Sequence, residues 1–177
     1  MQEVTSNAAK AAPKTQWDVN GQIEVLTFDL GEETLALEAA MVREIVDLLP
    51  ETQVPGASPL LGSIANFRGK IIPIADLRLA FGLSVSEATV DSRIVVIETE
   101  LDGEAVQIGL RTDKVHEVAT LRRDASEEPP TVGMRWRRDY VRELVRTPDG
   151  VVVLPDLPMI FRSFLGSGEP TANAPIH

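Results

Sequence analysis

The chain has 177 residues, of which 44% are hydrophobic and 25% charged, with a formal net charge of −10 and no cysteine. That is enough apolar material for one globular core or two small halves, and it excludes disulfides, thiolate catalysis and cysteine-based zinc sites. The acidic excess argues against a general binder of phosphate backbones, which gains affinity from Lys and Arg, so no nucleic-acid partner is expected.

Residues 1–21 are rich in Ala, Thr, Lys and Gln without an apolar period, and are expected to form a flexible tail. They contain no apolar stretch behind a basic start, so no secretion signal is expected and a cytoplasmic location follows. The longest apolar runs, IIPIA at 71–75 and VVVLP at 151–155, fall well short of the roughly 20 residues a membrane-spanning helix needs, so no direct membrane insertion is expected.

Strand-type alternation begins with IEVLTFDL (23–30), TLALEA (34–39) and VREIVDLL (42–49), the first two joined by Gly31 and Glu32 as a hairpin turn. ASPLLGS (57–63) has room for one short turn opened by Ser58. SIANF (63–67) and KIIPIA (70–75) flank Arg68 and Gly69, and DLRLAFG (76–82) predicts a short helix with Asp76 as N-cap and Gly82 as its stop. RIVVIETE (93–100) and EAVQIGL (104–110) follow, turned at Asp102 and Gly103, then KVHEVATL (114–121), YVRELVR (140–146) and VVVLP (151–155). DLPMIFRSFLG (156–166) repeats the helix design with Asp156 as cap and Gly166 as stop, and 166–177 is expected to be a second flexible tail. Ten short strands and few helices predict an all-β fold of the barrel or sandwich kind.

The chain also matches itself. An offset of 80 places Ile71, Ile72 and Ile74 on Val151, Val152 and Leu154, and Asp76, Leu77 and Phe81 on Asp156, Leu157 and Phe161. An offset of 73 places Leu35, Leu37, Val42, Glu44 and Ile45 on Ile108, Leu110, Val115, Glu117 and Val118. The expectation is one domain at 22–165 made of two copies of a five-stranded unit, about 23–90 and 91–165, with a groove between two barrels. Chance agreement among β-branched residues is the alternative.

Catalytic material is thin. His177 sits in a tail, and His116 lies in a strand where an edge imidazole is the simpler account. No second histidine has metal-ligand spacing, and neither a P-loop, a GxGxxG nor a GxSxG occurs. The carboxylates fall in turns and exposed alternations, which predicts solvated groups. No catalytic residue, metal site or cofactor is expected. The segment RWRRDYVRELVR (135–146) sets five arginines against Asp139 and Glu143, a local charge of +3 in an acidic chain. It meets its own acidic neighbours, an acidic protein partner or, least of all, nucleic acid. Arg68 and Gly69 also admit two accounts: a tight turn with a solubilising tip, or an arginine presented to a partner's carboxylate or carbonyl.

The segments LTFDLGEETLALEAAMVREI (26–45), VPGASPLLGSIANFRGKIIPIADLRLAFG (54–82) and YVRELVRTPDGVVVLPDL (140–157) resemble the CheW family of bacterial chemotaxis coupling proteins. The resemblance covers 23 to about 164. It implies two intertwined five-stranded β-barrels with a few short helices, and a non-enzymatic scaffold that joins chemoreceptor cytoplasmic tips to the regulatory domain of the CheA histidine kinase. Val42, Glu44, Asn66 and Arg68 match positions associated with receptor contact. Ser63 and Glu143, 80 apart, stand where the family usually has glycine, and with Arg137 and Arg138 they are candidates for a kinase or partner interface. Gly69, Asp76 and Asp156 are expected to be structural. A CheW-like adaptor for a pilus, flagellar or polarity system is the alternative function.

Overall fold

The structure, a computed structural model, describes residues 15–130 and 136–173, with side chains through residue 165. In the first half β1 (Gln22–Leu30), β2 (Glu33–Glu38), β3 (Val42–Val46), β4 (Glu51–Gln53), β5 (Ser63–Phe67) and β6 (Lys70–Ala75) lead into α1 (Arg78–Phe81). In the second half β7 (Arg93–Leu101), β8 (Glu104–Thr112), β9 (Lys114–Arg122), β10 (Ser126–Glu127), β11 (Val141–Thr147) and β12 (Gly150–Pro155) lead into α2 (Leu157–Asn173).

Two six-stranded sheets form, in the orders β10-β11-β12-β2-β1-β9 and β3-β7-β8-β6-β5-β4. Each takes four strands from one half and two from the other, so the halves interweave. The internal repeat holds to the register. Val25 faces Glu38 and Leu26 faces Leu37, as Ile94 faces Arg111 and Val95 faces Leu110. Ala65 faces Ile72 as Val145 faces Val152. Parallel contacts close the exchange, β12 on β2 and β6 on β8.

Period-two alternation explains the packing, because successive side chains leave a strand on opposite faces. On β1, Val25 joins Ala36, Leu121, Val145, Val152 and Leu154 inside the curl of the first sheet. Ile94 and Val96 of β7 join Ala65, Phe67, Ile72 and Ile74 inside the second. The opposite faces of the same strands, Leu26 and Phe28 with Val95 and Ile97, meet in a third cluster between the sheets. That seam holds Phe28, Phe81 and Phe161, all at most 1% exposed. At a transfer free energy of about 25 cal/mol per Å² of apolar surface, burying each such ring contributes on the order of 2 kcal/mol or more.

The all-β expectation and the interwoven halves hold, with four corrections. Each sheet has six strands rather than five, because the short edge strands β4 and β10 lack the apolar alternation that marks the others. β3 ends at Val46, ahead of Leu49. α2 does not stop at Gly166 but continues to Asn173. Its start is as expected: Asp156 accepts from Met159 N–H at 3.1 Å, and its backbone carbonyl accepts from Ile160 N–H at 3.0 Å. Ahead of α1 the expected cap is displaced by one residue: Leu77 is the N-cap, without a side-chain cap bond, while Asp76 accepts from Arg78 N–H at 3.1 Å, and Gly82 ends that helix at φ 65°. Ser58 opens a turn through Leu60 N–H at 3.3 Å. Within the expected N-terminal tail, Thr15 is 7% exposed and Trp17 packs on the core of the first sheet. Residues 1–14, 131–135 and 174–177, with Arg135 and His177 among them, lie outside the described residues.

Candidate functional site

The hairpin between β5 and β6 turns on Arg68 and Gly69, both in the left-handed region at φ 52° and 81°. A two-residue turn of this kind needs positive φ at both positions, which glycine accepts freely and arginine does not. Asn66 steadies it, its Oδ1 accepting from Gly69 N–H at 2.9 Å. The guanidinium of Arg68 lies 5.6 Å from the centre of the Phe67 ring. It donates from Nε to Glu44 Oε1 at 2.7 Å and from Nη2 to Glu44 Oε2, the two-pronged geometry that arginine makes with carboxylates.

Glu44 lies on β3, at the end of its sheet, with three strands between it and β5. A flat sheet would hold the two residues far apart at about 4.8 Å per strand, so the ion pair requires the sheet to curl, and it bridges the mouth of that curl. Hydrogen bonding to Arg68 holds the Glu44 carboxyl below its ordinary value, and the same bond raises Arg68. Three of the four positions expected to contact a receptor, Glu44, Asn66 and Arg68, thus converge on one surface. Val42, two residues along β3, pairs with Ile97 in the register and packs against the central seam, anchoring the strand that presents Glu44. Ile71 (59% exposed) is the register partner of Asn66, while Ile45 (41% exposed) leaves β3 on the face opposite to Glu44.

A second polar cluster was not anticipated. Arg78, 4% exposed, pairs with Asp76 at 3.2 Å and with Asp113, and donates to Ser86 Oγ at 3.2 Å. Arg111 on β8 donates from Nε to Glu51 Oε2 at 3.0 Å and approaches Asp76 at 3.5 Å. These groups line a cavity of about 330 Å³ and tie β4 and α1 of the first half to β8 of the second. Burial pushes the Glu51 carboxyl up, but hydrogen bonds from Arg111 and Ser63 outweigh that and hold it below its ordinary value. The expectation that the carboxylates are solvated therefore fails at Glu51, Asp76 and Asp113. Its only sequence signal was the two-residue spacing of Asp76 and Arg78.

The positions where glycine is replaced carry paired side chains. Ser63, 6% exposed, donates to Glu51 Oε1 at 2.6 Å, joining β5 to β4. Ser126 on β10 donates to Glu143 on β11. Glu51 faces Ala65 as Ser126 faces Val145, so the two halves carry the same Ser–Glu bond with donor and acceptor exchanged. Each bond fastens a short edge strand to its neighbour.

The basic segment is largely satisfied by its own chain. Arg137 pairs with Asp139 at 2.7 Å and lies 5.0 Å from the centre of the Tyr140 ring. Arg138 approaches Glu128 at 3.5 Å and donates to the Pro129 carbonyl at 3.0 Å. Arg146 pairs with Glu127, and Trp136 packs edge-on to Phe81, ring centres 5.4 Å apart. His116 meets Asp29 at 3.0 Å. Among the described residues no group of three His, Cys, Asp or Glu is placed to hold a metal ion, and no helix is long and apolar enough to cross a membrane.

Comparison with known proteins agrees with this architecture. The crystal structure of the scaffolding protein TtCheW from Thermoanaerobacter tengcongensis superposes with a TM-score of 0.68 at 32% identity, over 78% of this chain and 92% of that one. The chemotaxis protein CheW of Rhizobium meliloti is 27% identical over 144 residues, 81% of this chain and 90% of the relative. The chemotaxis protein CheW of Treponema pallidum is 28% identical, over 80% and 84% respectively. The family model of the CheW-like domain matches residues 24–164, which include both sheets, the Arg68 hairpin and the first turns of α2, and the chain belongs to the CheW-like family.

Proposed function

We propose that this protein is a cytoplasmic, non-enzymatic scaffold that couples chemoreceptors to a CheA-type histidine kinase, and that it works without a cofactor. The observation that carries this is the convergence of Glu44, Asn66 and Arg68 on one curled sheet mouth, inside a CheW-like domain. A turn residue held at positive φ is a candidate for work other than stability, since the left-handed region is unfavourable for arginine and such strain collects at binding sites. In this scheme the receptor tip presents a helix whose apolar face lies on Ile71 while its polar groups engage Arg68 and Glu44, a helix-in-groove contact. Asp156 caps α2, Asp76 ties down the first N–H of α1, and Gly69 lets the Arg68 turn close.

The kinase regulatory domain binds elsewhere on the barrel edges, where Ser63 and Glu143 act through the β4 and β10 strands they fasten. Arg137 and Arg138 are candidates for that contact, each exchanging its internal partner for one on the kinase. Co-purification with a kinase regulatory domain and a receptor-tip fragment tests the scheme, with retention of both at tens of micromolar expected. Arg68→Glu is expected to weaken receptor binding at least about tenfold in titration calorimetry; unchanged affinity would leave Arg68 as a closure of the sheet mouth alone. Charge reversal at Arg137 and Arg138 is expected to spare receptor binding. Loss of every partner on that reversal would instead favour an adaptor for another system.

A further inference from the structure

The first half closes the mouth of its curled sheet and the second half does not. By the repeat, Arg68 corresponds to Pro148 and Glu44 to Glu117. The turns are the same length, Thr147 pairing with Gly150 as Phe67 pairs with Lys70, but proline has no cation to bring to the edge strand. What remains between β9 and the β11–β12 hairpin is an open groove of about 870 Å³, lined by Val118, Ala119, Leu121 and Val152 among others. Val118, the counterpart of Ile45, is 58% exposed.

The charges around this groove are unbalanced. Arg122 is paired with Asp124, Arg146 with Glu127 and His116 with Asp29. The carboxylates of Glu117 and Asp149, both exposed and both on the groove, have no partner among the described residues. The strand beside them, β9, has nine residues and ends its sheet, so among the described residues one backbone edge lies open to pairing.

We infer that this groove docks an extended basic segment of a partner protein, which adds as a strand to the β9 edge. Its alternate apolar side chains stand beside Val118 on one face of the added strand, and its lysine or arginine side chains, on the other face, meet Glu117 and Asp149. Strand addition takes affinity from main-chain hydrogen bonds and specificity from alternate side chains, and the two unpaired carboxylates set the sign of the charge. The surface is separate from the Arg68 hairpin, so it stands independently of the coupling role.

The test uses the full chain and a labelled, end-blocked nine-residue peptide alternating valine and lysine, with its valine–glutamate counterpart as control. Amide shifts in NMR are expected to concentrate in β9 and residues 146–150, with the basic peptide binding at least about tenfold tighter than the acidic one and weakening with salt. Glu117→Lys combined with Asp149→Lys is expected to abolish that preference without lowering Tm. Pro148→Arg supplies from within the cation that the first half has, and is expected to reduce binding at least about tenfold while Tm does not fall. Equal binding of both peptides, or shifts confined to other strands, overturns the inference. Binding that appears only after removal of residues 1–14 also overturns it, by assigning the groove to the chain's own N-terminal segment.

Discussion

Gly109 on β8 occupies the interior of the second sheet's curl, where a Cβ would lie 2.7 Å from Ile74 Cδ1 and 2.9 Å from Ile94 Cγ2. Its counterpart in the other half is Ala36, which packs with Val25 and Leu154. Replacing Gly109 with alanine lowers the backbone entropy of the unfolded chain, which favours folding by about 0.4–1 kcal/mol. Against that stands the cost of overpacking a filled core, about 1–3 kcal/mol. Ile74 Cδ1 is the end of a flexible side chain and can swing away. Ile94 Cγ2 is attached to Cβ and moves only with χ1 or the backbone, so the steric cost wins. Gly109→Ala is expected to destabilise by about 0.5–2 kcal/mol, a fall in Tm of roughly 2–6 °C for a domain of this size. Urea unfolding checks it: the midpoint falls with unchanged slope. Combining it with Ile94→Ala, which removes the fixed methyl, is expected to cost less than the sum of the single changes. A higher midpoint for Gly109→Ala alone would show that the curl of the second sheet is loosely packed, and would refute this account.

Other predictions concern the polar contacts. The depressed carboxyl of Glu44 means that its bond to Arg68 contributes stability fully above the ordinary glutamate value of 4.5 and loses it as pH falls through the lower folded value. An NMR titration of Glu44 is expected to have its midpoint below 4.5 and to return to the ordinary range in Arg68→Ala; an unmoved midpoint would break the link between them. Asp156→Ala leaves Met159 N–H without its acceptor, at about 1 kcal/mol in urea unfolding; no loss would mean that the cap is dispensable. Arg78→Met leaves Asp76 and Asp113 facing each other around the cavity without their buried cation, and is expected to destabilise by about 3 kcal/mol. A change within error would place those carboxylates in solvent after all.

The strands with apolar alternation were legible because burial on one face demands period two. SIANF and KIIPIA coincide with β5 and β6 to the residue. β4 and β10 were not legible because three and two residues cannot show a period; they are held by Ser63 with Glu51 and by Ser126 with Glu143. Sequence comparison found Ser63 and Glu143 as an unusual pair of positions. It could not show that each reaches back into its own sheet, since neither partner lies at a fixed offset. The pair Glu44 and Arg68 was proposed residue by residue, but their contact depends on the curl of the sheet, which places residues 24 apart in sequence against each other. Gly166 misled because a glycine is only a permissive stop, and α2 runs on past Gly168 and Pro170 to Asn173.

The exchange of strands between the sheets makes each half incomplete. A chain ending after α1 would carry β1 and β2 without the sheet they belong to, and β3 to β6 without the two strands that join β3 to β6 in theirs. Two such half-length chains would reach this architecture only by trading strands as a dimer, at a stability set by their concentration. The connection from Gly82 to Ser92 removes that dependence by holding the exchange partners at an effective concentration fixed by its own length. Cutting there should therefore yield fragments that fold as a pair and reassemble in trans, a natural split point for reporting when two other proteins meet.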